Sequence, residues 1–155
     1  FKELMKRFAS GVTLITFEND GNYSGLTVSS FCSLSMNPPL ILICIDKKIP
    51  SHESLKNGSH FGVNICTSEQ GPLAWDFANS NVDKHELILS LNHNITENKV
   101  PLLNDCLASM ECTLKETYEG GDHTIFIGQI EDGNFDEESD PLVYYKSGLG
   151  DFTPN

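Results

Sequence analysis

The sequence predicts a mainly β fold with inserted helices, in which the strands close on themselves as a barrel. Two observations lead to this prediction: about seven β-branched or apolar segments are separated by turn signals, and most of them are joined as hairpins. The helical segments fall between strands, as lids on a barrel would. A chain of 155 residues can bury one core without disulfides or a metal, so we expect a single domain over residues 1–155.

The first half of the chain is predicted to contain a short helix followed by strands. Apolar side chains recur at helical spacing within residues 2–9, which indicates the helix. Residues 12–17 and 23–31 are rich in β-branched and aromatic side chains, and Asp20-Gly21 between them is typical of a hairpin turn. Residues 40–46 are apolar on both faces until the last position. We therefore expect the barrel to cover one side of this strand and a helix or a partner subunit to cover the other.

Cap and turn residues organise the second half. Ser51 is predicted to cap a helical turn that runs to Lys56. Thr67 and Gln70 have the spacing of a capping box, which predicts a helix as far as residue 78. The other predicted elements are a strand at 61–66, a helical stretch and an extended 100–103 segment within 79–106, strands at 107–118 and 123–131 around a turn, and a short strand at 142–145.

Composition argues against several function classes. The chain has 22 acidic and 10 basic residues, a formal net charge of −12, and such a field repels nucleic acid. No apolar run approaches the ~20 residues that span a bilayer, and no secretory leader is visible. The five cysteines are odd in number and form no C-x-x-C pair, which indicates a reducing compartment. We therefore expect a cytoplasmic protein that binds neither membrane nor nucleic acid.

Common catalytic motifs are also missing from the sequence. It contains no G-x-G-x-x-G after a strand, no P-loop and no G-x-S-x-G elbow. The histidines lack the spacing of metal ligands, so a zinc site is not expected. Polar clusters at strand ends remain as the candidate sites.

The first cluster is Thr27-Val28-Ser29-Ser30. Strand alternation places Thr27 and Ser29 on one face and Val28 and Ser30 on the other. A Ser/Asn/Pro-Pro loop and the apolar 40–46 strand follow, so small polar groups gather at one mouth of the barrel. A flat heteroaromatic cofactor with hydrogen-bonding edges suits such a mouth, and we take that cofactor to be a flavin. A hydroxyl-rich strand that satisfies its own turn is the alternative.

The second cluster runs from the end of the 40–46 strand into the next helix. Two lysines there lie close to a predicted helix N-terminus, and both favour an anion such as a phosphate. A pair of solvated lysines is the alternative. The members of this cluster are Cys44, Ile45, Asp46, Lys47, Lys48, Ser51 and His52.

The third candidate is His123, which follows Asp122 in the predicted hairpin turn. A lone histidine in a turn is either a structural residue or part of a site, and its spacing alone does not decide between them.

Taken together, many segments of the chain resemble the flavin reductase-like family, in order and at matching spacing. The resemblance covers nearly the whole chain. It lies in Phe8–Thr13, Gly25–Phe31, Ser33–Pro39, Phe61–Ile65 with Gln70 and Phe77-Ala78, Gly121–His123 with Ile127-Gly128, and Pro141–Tyr145. It implies an FMN-binding split barrel, usually a homodimer, in which NADH or NADPH reduces FMN or FAD. The reduced flavin then passes to a partner such as a monooxygenase.

The resemblance also implies roles for individual residues. The 27–30 segment corresponds to contacts with the isoalloxazine edge, residues 44–46 to the strand behind the ring and ribityl chain, and residues 47–52 to the phosphate end. His123 corresponds to a histidine beside the nicotinamide. Hydride passes directly from nicotinamide C4 to flavin N5, which fits the absence of an acid–base pair in the sequence.

The chain departs from the family pattern at two places. Leu149 stands where many members carry an aromatic residue that stacks over the nicotinamide, and residues 131–140 are unusually acidic. Two other functions remain open at this stage: a flavoprotein that keeps its FMN and passes electrons to a protein or a ferric chelate, and a flavin-binding module without turnover.

Overall fold

The fold is described over residues 1–155 in a computed structural model. Strands dominate, and short helices interrupt them, as predicted. In chain order the elements are α1 (Lys2–Met5), β1 (Ser10–Gly11), β2 (Thr13–Asn19), β3 (Asn22–Val28), β4 (Phe31–Met36), β5 (Pro39–Asp46), α2 (Ser51–Asn57), β6 (His60–Ile65), a 3₁₀ turn (Ser68–Gln70), α3 (Gly71–Ala78), α4 (Lys84–Ser90), β7 (His93–Ile95), β8 (Pro101–Leu103), β9 (Ala108–Gly120), β10 (His123–Phe135), β11 (Leu142–Tyr145) and β12 (Gly148–Asp151).

Seven antiparallel strands form the central sheet, in the order β3-β2-β6-β9-β10-β5-β4. The sheet curls so that β3 comes close to β5. In the bend between β3 and β4, the Ser30 carbonyl accepts from the Cys44 N–H over 3.1 Å and extends the β4–β5 ladder. The predicted barrel of mainly β structure with inserted helices is therefore confirmed. Its interior is filled by alternate side chains of the strands, including Ile15, Val28, Ile43, Ile45, Phe61 and Phe126.

A second apolar cluster lies between the barrel and the helices. It contains Phe77 of α3 and Ile88 of α4, together with Leu14 of β2 and Leu142 of β11. Gly25 permits this packing, because a Cβ there would lie 2.6 Å from Phe77 Cε1 and 2.8 Å from the Ile15 carbonyl oxygen. A small sheet of β1, β11 and β12 closes this side.

Elements with local signals are where they were predicted. The β2–β3 hairpin turns at Asp20 and Gly21, both with positive φ, as a turn of this kind requires. Thr67 and Gln70 form the predicted capping box. The 100–103 segment is extended as β8 and pairs with β7.

Other predictions need correction. The predicted strand at 23–31 is two strands, since a bend closed by Phe31 N–H and the Ser29 carbonyl redirects the chain from β2 towards β5. Ser51 does not cap α2: Pro50 occupies the N-cap position, without a side-chain cap bond. Strand β5 is fully buried only at alternate positions, and the predicted cover of its outer face by a helix or a partner subunit stays a prediction. None of the helices is both long and apolar enough to span a membrane.

Candidate functional site

The outer face of the barrel, where β3 meets β5, carries the candidate site. Leu26 and Val28 point into the core, so Thr27 between them points outward. On β5, Ile43 and Ile45 are buried in the core, and Cys44 and Asp46 are half-buried on the outer side. The predicted contacts from the two strands are therefore brought together on one surface.

Thr27, Ser29 and Ser30 have different surroundings. The Thr27 hydroxyl donates to the Ala74 carbonyl over 2.5 Å, which ties β3 to α3. Ser29 and Ser30 are exposed beyond the end of β3, and their carbonyls accept from Phe31 and Cys44 N–H groups. Of the predicted residues, Val28 and Ile45 are core residues whose side chains face away from this surface.

A polar pocket of about 420 Å³ opens between β3, α2 and the segment that leads into α4. Thr27 lines it, which places it next to the outer face just described. Its hydroxyl and cationic groups are Ser24, Ser51, Ser54, Ser80 and Lys84. We call it the polar pocket below. Several hydroxyls around one ammonium group suit a phosphate and a polyhydroxyl chain.

Lys84 is the one cation among the residues that line the polar pocket. Its Nζ donates to the Asn79 carbonyl at 2.5 Å and the Val82 carbonyl at 3.1 Å. Burial lowers the pKa of Lys84, and the nearby Asp76 and Asp83 oppose that shift. An ammonium has three donors, so a third remains for an anion in the pocket. Lys84 is not recognisable as a site residue from the sequence, because its position depends on how α4 folds back over β3.

The structure does not bring Lys47 and Lys48 to the polar pocket, contrary to the prediction of a phosphate end there. Lys47 Nζ instead pairs with the Glu119 carboxylate and donates to the Gly121 carbonyl at 2.8 Å. Lys48 is exposed, and its N–H donates to Asp46 Oδ1 at 2.9 Å. The ammonium group of Lys47 is thus bound at the tip of the β9–β10 hairpin. Of the residues predicted for the phosphate end, only Ser51 lines the polar pocket.

His52, which was predicted at the phosphate end, is buried in the core. Its side chain is 3% exposed, with Nε2 2.8 Å from Thr124 Oγ1 and Nδ1 3.0 Å from Glu53 Oε1. The ring also packs edge-on against Phe126. Both ring nitrogens are therefore occupied, because α2 turns His52 inward while Ser51 faces the pocket.

His123 lies opposite Asp46, where β10 begins beside the end of β5. Its side chain is 40% exposed, and its Nδ1 is 2.7 Å from Asp122 Oδ1. This hydrogen bond lowers the pKa of Asp122, and the charge of a protonated His123 would act in the same direction. The bond fixes the imidazole and directs Nε2 away from Asp122. His123 and the outer groups of β5 thus share one surface.

A smaller cavity of about 160 Å³ adjoins the polar pocket through Thr27 and Ala78. Trp75 and Leu149 line it, together with Ser29. Leu149, which stands in place of the expected aromatic residue, therefore lies beside the candidate site of the flavin ring. A separate cavity of about 670 Å³ is an apolar groove between residues 9–11 and β11–β12 with few polar groups.

The thiols of the buried cysteines have low reactivity at neutral pH. Burial raises the pKa of Cys66 and Cys112 to about 12 and that of Cys106 to about 11. Such thiols stay protonated near neutral pH and behave as small apolar side chains. Burial also raises the pKa of Cys44, so the site contains no activated thiol.

Curated proteins similar to this chain include two reductases. The chain is 33% identical over 154 residues to the reductase component of a 4-nitrophenol 4-monooxygenase/4-nitrocatechol 2-monooxygenase from Rhodococcus opacus, covering 99% of this chain and 80% of that protein. It is 30% identical over 153 residues to a flavin reductase from Pseudomonas putida, covering 98% of this chain and 88% of that protein.

Solved structures agree over nearly the whole length. An NADH:FAD oxidoreductase from Streptomyces globisporus C-1027, solved with NAD and FAD fragments, superposes with a TM-score of 0.91 at 30% identity and covers 99% of this chain and 92% of its own. The flavin reductase component of a bacterial two-component tryptophan halogenase gives 0.92 at 29% identity, with coverage of 99% and 97%. The family model described as flavin reductase like domain matches residues 5–153. The chain therefore belongs to the flavin reductase-like domain family.

Proposed function

We propose that this chain uses NADH or NADPH to reduce FMN bound across the β3–β5 surface, with the FMN phosphate in the polar pocket. The predicted activity, reduction of a flavin by a nicotinamide cofactor, is confirmed by the family and by relatives named flavin reductase and NADH-dependent flavin reductase. One observation supports our placement of the flavin most strongly. The polar pocket, with Lys84 and its serine hydroxyls, opens directly beside the predicted ring contacts.

The residues present fit a flavin mononucleotide. Lys84 supplies a cation for the phosphate, and the serine hydroxyls of the pocket supply donors for the phosphate and the ribityl chain. Ser29 and Ser30 offer exposed polar groups for the ring edge. The flavin itself accepts the hydride when bound, so the protein's task is to hold two rings in contact.

His123 is proposed to orient the nicotinamide. Asp122 holds its Nδ1 side, which leaves Nε2 for a hydrogen bond to the carboxamide of the nicotinamide. Its position opposite Asp46 puts this group at the end of the β5 surface. No side chain is required to move a proton in this scheme.

We also propose that the chain forms a homodimer through the outer face of β4, β5 and β10. The register places Leu42 between Cys32 and Ile127, and Cys44 beside Ile125, all on the outer side. Leu42 and Cys44 are half-buried, and Ile127 beside Leu42 is buried. A partner subunit on this apolar face would exclude water beside the flavin, since Cys44 belongs to both surfaces.

The reduced flavin is proposed to serve a partner monooxygenase. Relatives named as reductase components of two-component monooxygenases support this partner. A cytoplasmic location and a single domain remain predictions of the sequence.

A fluorescence titration tests the placement of the flavin. FMN should be quenched on binding, and Lys84→Ala should weaken FMN while leaving riboflavin, which lacks the phosphate, nearly unchanged. Equal losses for the two flavins would contradict a phosphate at Lys84, and the absence of any quenching or heat of binding at micromolar FMN would contradict the proposal as a whole.

A further inference from the structure

His85 forms the directional contact between the start of α4 and the barrel. Its Nδ1 lies 2.9 Å from the backbone N of Tyr23. The two rings also stack, with centroids 5.4 Å apart and an interplanar angle of 25°. A backbone N–H can only donate, so Nδ1 is the acceptor and carries no proton in this arrangement.

The contact has a structural reason. Strand β3 is an edge of the central sheet, with β2 as its only hydrogen-bonded neighbour. Outward N–H groups on such an edge have no strand partner and need another acceptor. The imidazole of His85 provides that acceptor for Tyr23.

The same contact fixes two walls of the polar pocket relative to each other. Ser24 follows Tyr23 on β3, and Lys84 precedes His85 on α4; both line the pocket. The hydrogen bonds of Lys84 go to Asn79 and Val82, which belong to the same connecting segment. They shape the segment but do not tie it to β3.

Apolar packing alone would not set this position. Ile88 is fully buried and holds α4 against the barrel, but apolar contacts have no fixed direction. A hydrogen bond at 2.9 Å defines both distance and angle. The Tyr23–His85 contact is therefore the feature that determines where Lys84 sits along β3.

We propose that His85 is a positioning residue that sets Lys84 in the polar pocket and thereby the preference of the chain for phosphorylated flavins. The inference depends on the proposed function, which puts the FMN phosphate at Lys84. His85 contacts neither flavin nor nicotinamide in this scheme. Its effect should therefore appear only in the ratio of FMN to riboflavin affinity.

The test measures dissociation constants of FMN and riboflavin for each variant by fluorescence titration. A charge-assisted phosphate contact should make the parent chain bind FMN about tenfold or more tightly than riboflavin. His85→Phe keeps an aromatic ring for the stack but removes the acceptor, and should reduce this ratio about three- to tenfold. His85→Asn places an amide oxygen where Nδ1 was and should restore most of the ratio. Adding His85→Phe to Lys84→Ala should lower the ratio no further.

A matched control and a second variant keep the test decisive. His93→Phe changes another half-buried histidine, whose Nδ1 contacts the Leu91 carbonyl away from the pocket, and should leave the ratio unchanged. If His85→Phe does not fold, His85→Leu removes the acceptor in its place. Melting temperatures are measured alongside, because a purely structural residue would lower them without changing the ratio.

The outcomes separate the two proposals. If Lys84→Ala lowers the ratio but His85→Phe does not, the positioning role is wrong and the phosphate site stands. A ratio that stays low in His85→Asn would also overturn the inference. If Lys84→Ala leaves the ratio unchanged, the phosphate lies elsewhere. The proposed placement of the flavin is then wrong, and the positioning role of His85, which depends on it, is wrong as well.

Discussion

The backbone N–H of Cys44 donates to the carbonyl oxygen of Ser30 over 3.1 Å, which extends the β4–β5 ladder into the bend between β3 and β4. These residues belong to two segments that were predicted separately as flavin contacts. Their hydrogen bond places the bend after β3 beside Cys44 of β5. The polar pocket opens beside one end of that surface, and His123 lies beside Asp46 at another.

The lysines at 47 and 48 provide a direct contrast with Lys84. Lys48→Ala should leave the FMN and riboflavin affinities unchanged, since Lys48 does not line the polar pocket. Lys84→Ala should cost FMN binding about 1.5–3 kcal/mol, the usual range for hydrogen bonds to charged groups. Calorimetric titration of both variants checks this. A loss of FMN affinity confined to Lys48→Ala would favour the phosphate site that the sequence predicts at residues 47–52.

His123→Ala should raise the KM for NADH or NADPH several-fold, since one hydrogen bond contributes about 1 kcal/mol. If the contact tightens only during hydride transfer, kcat falls instead. FMN affinity should change little in either case. His93→Ala is the control, and unchanged nicotinamide kinetics in a folded His123→Ala protein would remove His123 from the site.

Dimer formation is tested by a charge on the outer face of β5. Light scattering of the parent chain should give about twice 17.2 kDa. Leu42→Glu should shift it to the monomer, because an unpaired carboxylate is costly in an apolar interface. Leu89→Glu changes an exposed leucine of α4 and should remain dimeric. A parent chain that is monomeric at micromolar concentration would contradict the proposed interface.

Gly25→Ala should destabilise the fold by about 1–3 kcal/mol, because the new methyl group overlaps Phe77 and the Ile15 carbonyl oxygen. The carbonyl belongs to β2 and cannot move without distorting the β2–β3 hairpin. Gly11→Ala is the control, since nothing lies within 4 Å of a Cβ there. Urea unfolding measures both, and equal midpoints would contradict the close packing of Phe77 and β2 around Gly25.

The thiols should differ in reactivity as their burial differs. The raised pKa values of Cys66 and Cys112, about 12, leave almost no thiolate at pH 8, and the fraction grows only as the pH rises towards those values. Iodoacetamide should therefore label the exposed Cys32 in the folded, monomeric Leu42→Glu variant, and the buried cysteines only after unfolding. Mass spectrometry of the labelled peptides checks this; rapid labelling of Cys112 in the folded chain would contradict the packing.

Local signals in the sequence were reliable because they depend on neighbouring residues. Asp20-Gly21 turns the hairpin with its own backbone, and Thr67 and Gln70 cap each other. Strand alternation likewise places Val28 in the core and Thr27 on the opposite face. The resemblance to the family supplied the expected arrangement of these elements in the barrel.

Side-chain positions could not be predicted from the sequence where they depend on contacts with segments that are distant in the chain. His52 looks like an exposed helix residue in sequence, but α2 packs it against Thr124 of β10. Lys47 forms an ion pair with Glu119, which is distant in the sequence. Lys84 reaches the polar pocket only because α4 folds over β3. Only the capping pattern at Asp83, which accepts from Glu86 N–H, marks the start of that helix in the sequence.

Steady-state oxidation of NADH with added FMN tests the central claim most directly. A reductase that treats flavin as a substrate should oxidise NADH at a rate that saturates with both FMN and NADH, and the rate should fall towards zero when free flavin is removed. A rate independent of added FMN would indicate a flavoprotein that keeps its cofactor. No oxidation by protein that binds FMN would indicate a flavin-binding module and would contradict the assigned activity.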